Sequence, residues 1–139
     1  MSKVPFEQAV IEAARQDPRY AADAYLFLRD ALDMTIKTMQ QGRNDAVNHI
    51  SGAELCEGLR DYALQQFGPM VPTIFETWGL ATTRDIGEMV FNLIRTGAFS
   101  RSKSDKVDDF NDVYTFAEAF EKPFLPTRAT APVPAPRPA

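Results

Sequence analysis

Residues 51–97 read SGAELCEGLRDYALQQFGPMVPTIFETWGLATTRDIGEMVFNLIRTG, three apolar-periodic stretches in succession, each closed by a glycine: Gly68, Gly79 and Gly97. Ser51-Gly52-Ala53-Glu54 opens the first as a capping box, in which the serine oxygen accepts from the Glu54 N–H and the glutamate reaches back to the Ser51 N–H. Leu55, Cys56, Leu59, Tyr62, Ala63 and Phe67 follow at helical spacing, and Gly68-Pro69 stops the helix. A short helix over about Val71 to Trp78 comes next, with Pro72 in its first turn, where no N–H is needed. Thr82 or Thr83 starts the third, whose inner face is Ile86, Met89, Val90, Leu93 and Ile94.

Beyond Gly97 the helical period stops. Ala98 to Arg101 and Asp109 to Tyr114 read as two short strands around a polar turn at Ser102 to Lys106. Thr115-Phe116-Ala117-Glu118 is a second capping box, opening a short last helix through Phe120. The alternative is a single helix from Val107 to Glu121, because Phe110, Val113, Ala117 and Phe120 also share a helical face; the hairpin is the preferred reading. Three helices and then a hairpin give the outline of a winged helix-turn-helix unit over residues 51–121.

Upstream, a first helix is expected from about Pro5 to Gln16, with Phe6, Val10, Ala13 and Ala14 on one face. Asp17-Pro18 reads as a restart, Asp17 capping and Pro18 at the first helical position of a helix that runs to about Met39. Its stripe is Tyr25, Leu28, Leu32, Ile36 and Met39, and Leu26, Phe27 and Met34 widen it, which suits a central helix packed on more than one side. Gln40 to Asn48 is a polar linker. From Pro123 onward prolines sit among alanine and threonine, a composition expected to stay disordered with polyproline II character. The expected fold class is therefore mainly α with a small β-hairpin. It forms one compact helical domain over residues 1–122 with a winged-helix-like C-terminal half (51–121) and a Pro/Ala-rich tail (123–139).

Apolar residues make up 45% of the chain and charged residues 24%, which is ordinary for a globular protein. No run is long and apolar enough to suggest a membrane span, and the residues after Met1 lack the apolar core of a signal peptide, so a cytoplasmic location is expected. In a winged helix the last long helix reads the major groove. Here its outward stripe is Asp85, Glu88, Asn92 and Arg95, and the hairpin adds Arg101, Lys103 and Lys106; together these form the candidate interaction surface. Asp85 and Glu88 lie where a reading helix meets the duplex and would repel phosphate. Residues 51–121 hold six basic and twelve acidic side chains, within a chain of net charge −4. A nucleic-acid module carries a basic footprint instead. Nucleic-acid binding is thus the alternative, and contact with an unidentified protein partner the leading expectation; self-association is left open.

Nothing forms a catalytic or cofactor set, and none is expected. Cys56 and His49 are the only cysteine and histidine, and Cys56 falls on an inner stripe, as a buried inert thiol does. Asp108, Asp109 and Asp112 lack the spacing and the terminal glutamate of a calcium loop. Glu54, Glu57 and Asp61 share one helix, but carboxylate chemistry needs a facing partner, so an enzyme is the third reading. Tyr62, Phe67, Phe75 and Trp78 read as core aromatics, and Gly58 and Gly87, inside helices, suggest close helix–helix approach or space for a partner.

Several segments together carry a resemblance. They are Asp17-Pro18-Arg19-Tyr20 with Ala24-Tyr25 and Phe27; Ser51-Gly52 before Glu54-Leu55; and Gly58-Leu59-Arg60-Asp61-Tyr62-Ala63 with Gln66-Phe67-Gly68. Trp78-Gly79 and Gly87-Glu88 with Val90-Phe91-Asn92-Leu93 complete the set. In combination the chain resembles, over about residues 6–120, an uncharacterised small-protein family described as restricted to the Verrucomicrobia and Planctomycetes. Ile86 stands where that pattern has an aromatic, and the proline tail lies outside it. The resemblance implies a single compact domain and no activity, cofactor or site residue.

Overall fold

A computed structural model describes residues 5–43, 50–99 and 106–125, with backbone alone at 41–43. Among them are five α-helices and no strand: α1 (Phe6–Gln16), α2 (Ala22–Arg43), α3 (Gly52–Phe67), α4 (Val71–Trp78) and α5 (Thr83–Arg95). Short turns of other pitch fill the rest: 3-10 at Gly68–Met70, Val107–Phe110 and Lys122–Phe124, and π at Ala117–Glu121.

The α3 start forms as its sequence dictates. Ser51 Oγ accepts from Glu54 N at 3.1 Å, and Ser51 N donates to Glu54 Oε1 at 2.9 Å. Gly79 ends α4 with φ +90°, the left-handed region glycine favours. It is also wedged against the corner between α1 and α2, since a Cβ at Gly79 would overlap the Arg19 carbonyl oxygen. Ala21 N donates to Trp78 O beside it, at 3.1 Å.

That corner departs from the expected helix restart at Pro18. Asp17 does not N-cap α2; it is the C-cap residue of α1, its N–H donating to Ala13 O at 2.9 Å. It accepts from Arg19 N–H and from the Arg19 guanidinium, closing a tight turn, and α2 begins only at Ala22. The detour buries Tyr20, 2% exposed, with its hydroxyl on Asp85 of α5.

Helices α2 and α3 form the most extensive pairing in the molecule. They run antiparallel: Phe27 stacks on Phe67 at 5.3 Å near one end, and Thr35 meets Gly58 further along. Gly58 has no room for a side chain, because a Cβ there would lie 2.8 Å from Thr35 Cβ. Thr35 turns its hydroxyl back to Ala31 O, 2.7 Å away, so the contact leaves no polar group unpaired. Phe27 also meets Tyr62 and Trp78, and Phe75 carries the aromatic packing on to Phe116 and Phe120. Of the aromatics named from the sequence, Phe75 is buried in the core, and Tyr62, Phe67 and Trp78 pack against it partly buried. Leu28, Leu59, Ile86 and Leu93, all 0% exposed, complete its centre.

The expected wing is not formed by the described residues. Ala98 and Phe99 wrap over the end of α5, both donating to Leu93 O, so they are a helix terminus; Ser100 to Asp105, the rest of the first strand and most of its turn, lie outside the described residues. The second strand is absent for a local reason. Asp109 N bonds Lys106 O and Asn111 N bonds Asp108 O, both at 3.0 Å, so these donors close a 3-10 turn and cannot enter a ladder. The single-helix alternative fails too. Phe110 O, which in a helix would accept from Tyr114, accepts instead from Thr83 Oγ1 at 2.6 Å, and Asp112 sits at φ +53°. The winged-helix reading is thus corrected to a helical domain crossed by a C-terminal strap over residues 106–125.

Phe110 is the reason for that path. Its ring lies over two glycines, Gly52 of α3 and Gly87 of α5, and a Cβ at Gly87 would lie 2.6 Å from Phe110 Cγ. Thr83, fully buried, holds the strap by donating to Phe110 O and accepting from Val113 N. Tyr114 then donates to Cys56 O at 2.6 Å.

Candidate binding groove

The α5 stripe expected to face a partner is turned toward the α1–α2 corner. Asp85 Oδ2 accepts from Ala81 N and Thr82 N, capping the helix, while Oδ1 accepts from the Tyr20 hydroxyl at 2.5 Å. Burial, and then the bond to Asp85, push the Tyr20 phenol well above its usual range. Asn92 is 3% exposed and donates to both Asp17 Oδ2 and Tyr25 Oη at 2.9 Å. Arg95 spans from Asn92 Oδ1 to Gln16 Oε1. Glu88 pairs with Arg84 at 3.2 Å and with Arg19 at 3.5 Å, and Arg84 reaches on to Asp108 and Asn111 of the strap.

These groups form an intramolecular polar seam. At its centre the Arg19 guanidinium, helped by the Asn92 amide, holds the Asp17 carboxyl well below the usual carboxylate range. Asp85, Glu88, Asn92 and Arg95 are brought together, but each has polar atoms engaged by the fold. Of the cations assigned to the wing, Lys106 is exposed and its backbone N–H bonds Asp109 Oδ2; Arg101 and Lys103 lie outside the described residues.

The other candidates separate. Cys56 is buried and its thiol is pushed up to about 12 by burial, which suits an inert core group; His49 lies outside the described residues. Asp108 is tied to Arg84 and Asp109 to Lys106 N, and among the described residues no acidic, histidine or cysteine group is arranged to hold a metal.

A groove of about 730 Å³ instead follows the outer side of the α2–α3 pair. Its α2 wall carries Met34, Thr38 and Met39, with Thr35 below. Its α3 wall carries Glu54, Glu57, Asp61 and Gln65, with Tyr62, and Gly58 lies between. The residues on α3 recur at helical spacing over three turns, so they form one continuous face. Met34 is 42% exposed. The close approach at Thr35 and Gly58 sets the spacing of the two walls. Asp61 has Arg60 at 3.1 Å, whereas among the described residues no cation pairs with Glu54 or Glu57. Reading the sequence placed the three acids on one helix but gave them no facing partner. The missed wall is Met34, Thr35, Thr38 and Met39. Its signals were the over-wide apolar stripe of α2 and the glycine inside α3.

The chain matches no known family model, no curated protein and no solved structure.

Proposed function

We propose that this is a small, cytoplasmic, non-enzymatic protein-interaction or adaptor module that receives a segment of a partner protein in the α2–α3 groove. The observation that carries this reading is the groove, lined by methionine and exposed carboxylate side chains on a closely packed helix pair. Its size falls in the range of ligand sites, about 300–1,000 Å³. Its chemistry suits a contact surface: the carboxylates all stand on one wall, and no histidine, cysteine or lysine is among the described residues lining it. General acid–base catalysis would need a second titrating group across from them. Among the described residues no helix is long and apolar enough to cross a membrane.

Thr38 is exposed and lines the groove, so Thr38→Trp fills it without entering the core. The full chain, used as bait in extracts of its native host, is expected to retain proteins that Thr38→Trp does not retain. Identical eluates from the two baits, or an eluate of nucleic acid without protein, would contradict the reading.

A further inference from the structure

Resting on the groove reading, we infer that the occupant is a cationic amphipathic helix of about three turns, presented by a partner protein. Length comes first. The α3 wall runs from Glu54 to Gln65, and at 1.5 Å per residue this span is about 16 Å, three helical turns. A helix laid along an antiparallel pair meets both walls at once, as the third member of a three-helix layer does. A peptide bound by strand addition would need a sheet edge, and the described residues contain no strand; a helix satisfies its own backbone.

The walls then set the faces of that helix. Met34 and Met39, with the Tyr62 ring, offer apolar contact; unbranched methionine side chains adapt to whatever anchor arrives. The opposite wall presents Glu54, Glu57 and Asp61, and only Asp61 has a cation beside it among the described residues. Lysine or arginine one turn apart on the incoming helix would face this row. A second copy of the chain is disfavoured as the occupant: groove against groove would set these carboxylates opposite their own counterparts, in a chain of net charge −4. Exposed ion pairs add little affinity each, so the acidic wall selects the partner more than it holds it.

The test uses the full chain and fluorescent 14-residue helical peptides that share one leucine face and carry lysine, glutamine or glutamate on the other, followed by anisotropy at low and high salt. The lysine peptide is expected to bind about tenfold more tightly than the glutamine peptide and to weaken with salt. Glu57→Gln/Asp61→Asn is expected to remove that advantage while leaving glutamine-peptide binding unchanged, and Thr38→Trp to abolish both. Equal binding of the lysine and glutamine peptides, or a lysine advantage that survives Glu57→Gln/Asp61→Asn, overturns the inference and leaves the groove reading standing. Binding of no peptide, with partner capture still lost in Thr38→Trp, also overturns the helical occupant alone. If Thr38→Trp changes neither peptide binding nor capture, both readings fail together.

Discussion

Gly79 answers to two constraints at once, a φ of +90° and an Arg19 carbonyl oxygen that occupies the space a Cβ would need. Gly68 shares only the first, at φ +54° with open space where a Cβ would go. Gly79→Ala is therefore expected to cost well over about 1 kcal/mol and clearly more than Gly68→Ala, measured by urea unfolding. Asp17 gives a pH signature. Its folded pKa is depressed by Arg19 and Asn92, so its contribution is complete above the ordinary carboxylate value, about 3.9, and is lost as pH falls below that toward the folded value. Asp17→Asn is expected to lower stability at pH 7 by about 1–3 kcal/mol and to flatten the loss of stability below pH 4. A mutant whose acid limb matches the parent's would refute that role. Cys56, 0% exposed, should resist a thiol reagent at pH 8 in the folded protein and react at once in urea. At this scale much was open to reading from the chain: Gly79 as a stop, the Ser51–Glu54 box and the buried thiol are all set by neighbours in sequence. Asp17 was not, because its partner Asn92 is brought to it only by the packing of α1 on α5.

The helices followed their periodicity, and the strap did not. Val107 to Glu121 carries apolar residues that suit a helix and flanking charges that suit a hairpin, and local rules could not choose between them. Phe110 decides it from a distance, by a seat on Gly52 and Gly87, and Thr83 fixes the backbone. Phe110→Ala is expected to cost about 3–5 kcal/mol and to raise amide exchange across residues 106–125 before the rest of the molecule. Exchange that rises uniformly would mean that the strap is no separate unit. Helix α5 shows the same limit from the other side. Its polar stripe, Asp85, Glu88, Asn92 and Arg95, has the spacing of a solvent face, yet Asn92 is buried and the other three bond to residues of α1 and the α1–α2 corner. A buried asparagine within a charged row has no sequence mark that separates it from an exposed one.

Across the whole molecule, the acidic balance of residues 51–121 first argued against a nucleic-acid reader, and the fold gives part of that charge internal work. Asp85, Glu88 and Asp108 are bonded within the seam or to the strap. Glu57 and Asp61, with Glu54 whose Oε1 also caps α3, line the groove, with Met34 and Met39 across from them. Four of the chain's five methionines lie among the described residues, and their ε-methyl NMR signals report separately on the groove, the core and the surface away from the groove. Met34 and Met39 line the groove, Met89 is 1% exposed, and Met70 is 55% exposed away from it. On titration of the full chain with the lysine-faced amphipathic peptide, the Met34 and Met39 signals should move together and saturate, while Met70 and Met89 stay in place. Movement of Met70 without Met34, or no movement of Met34 at saturating peptide, would contradict the groove as the binding site.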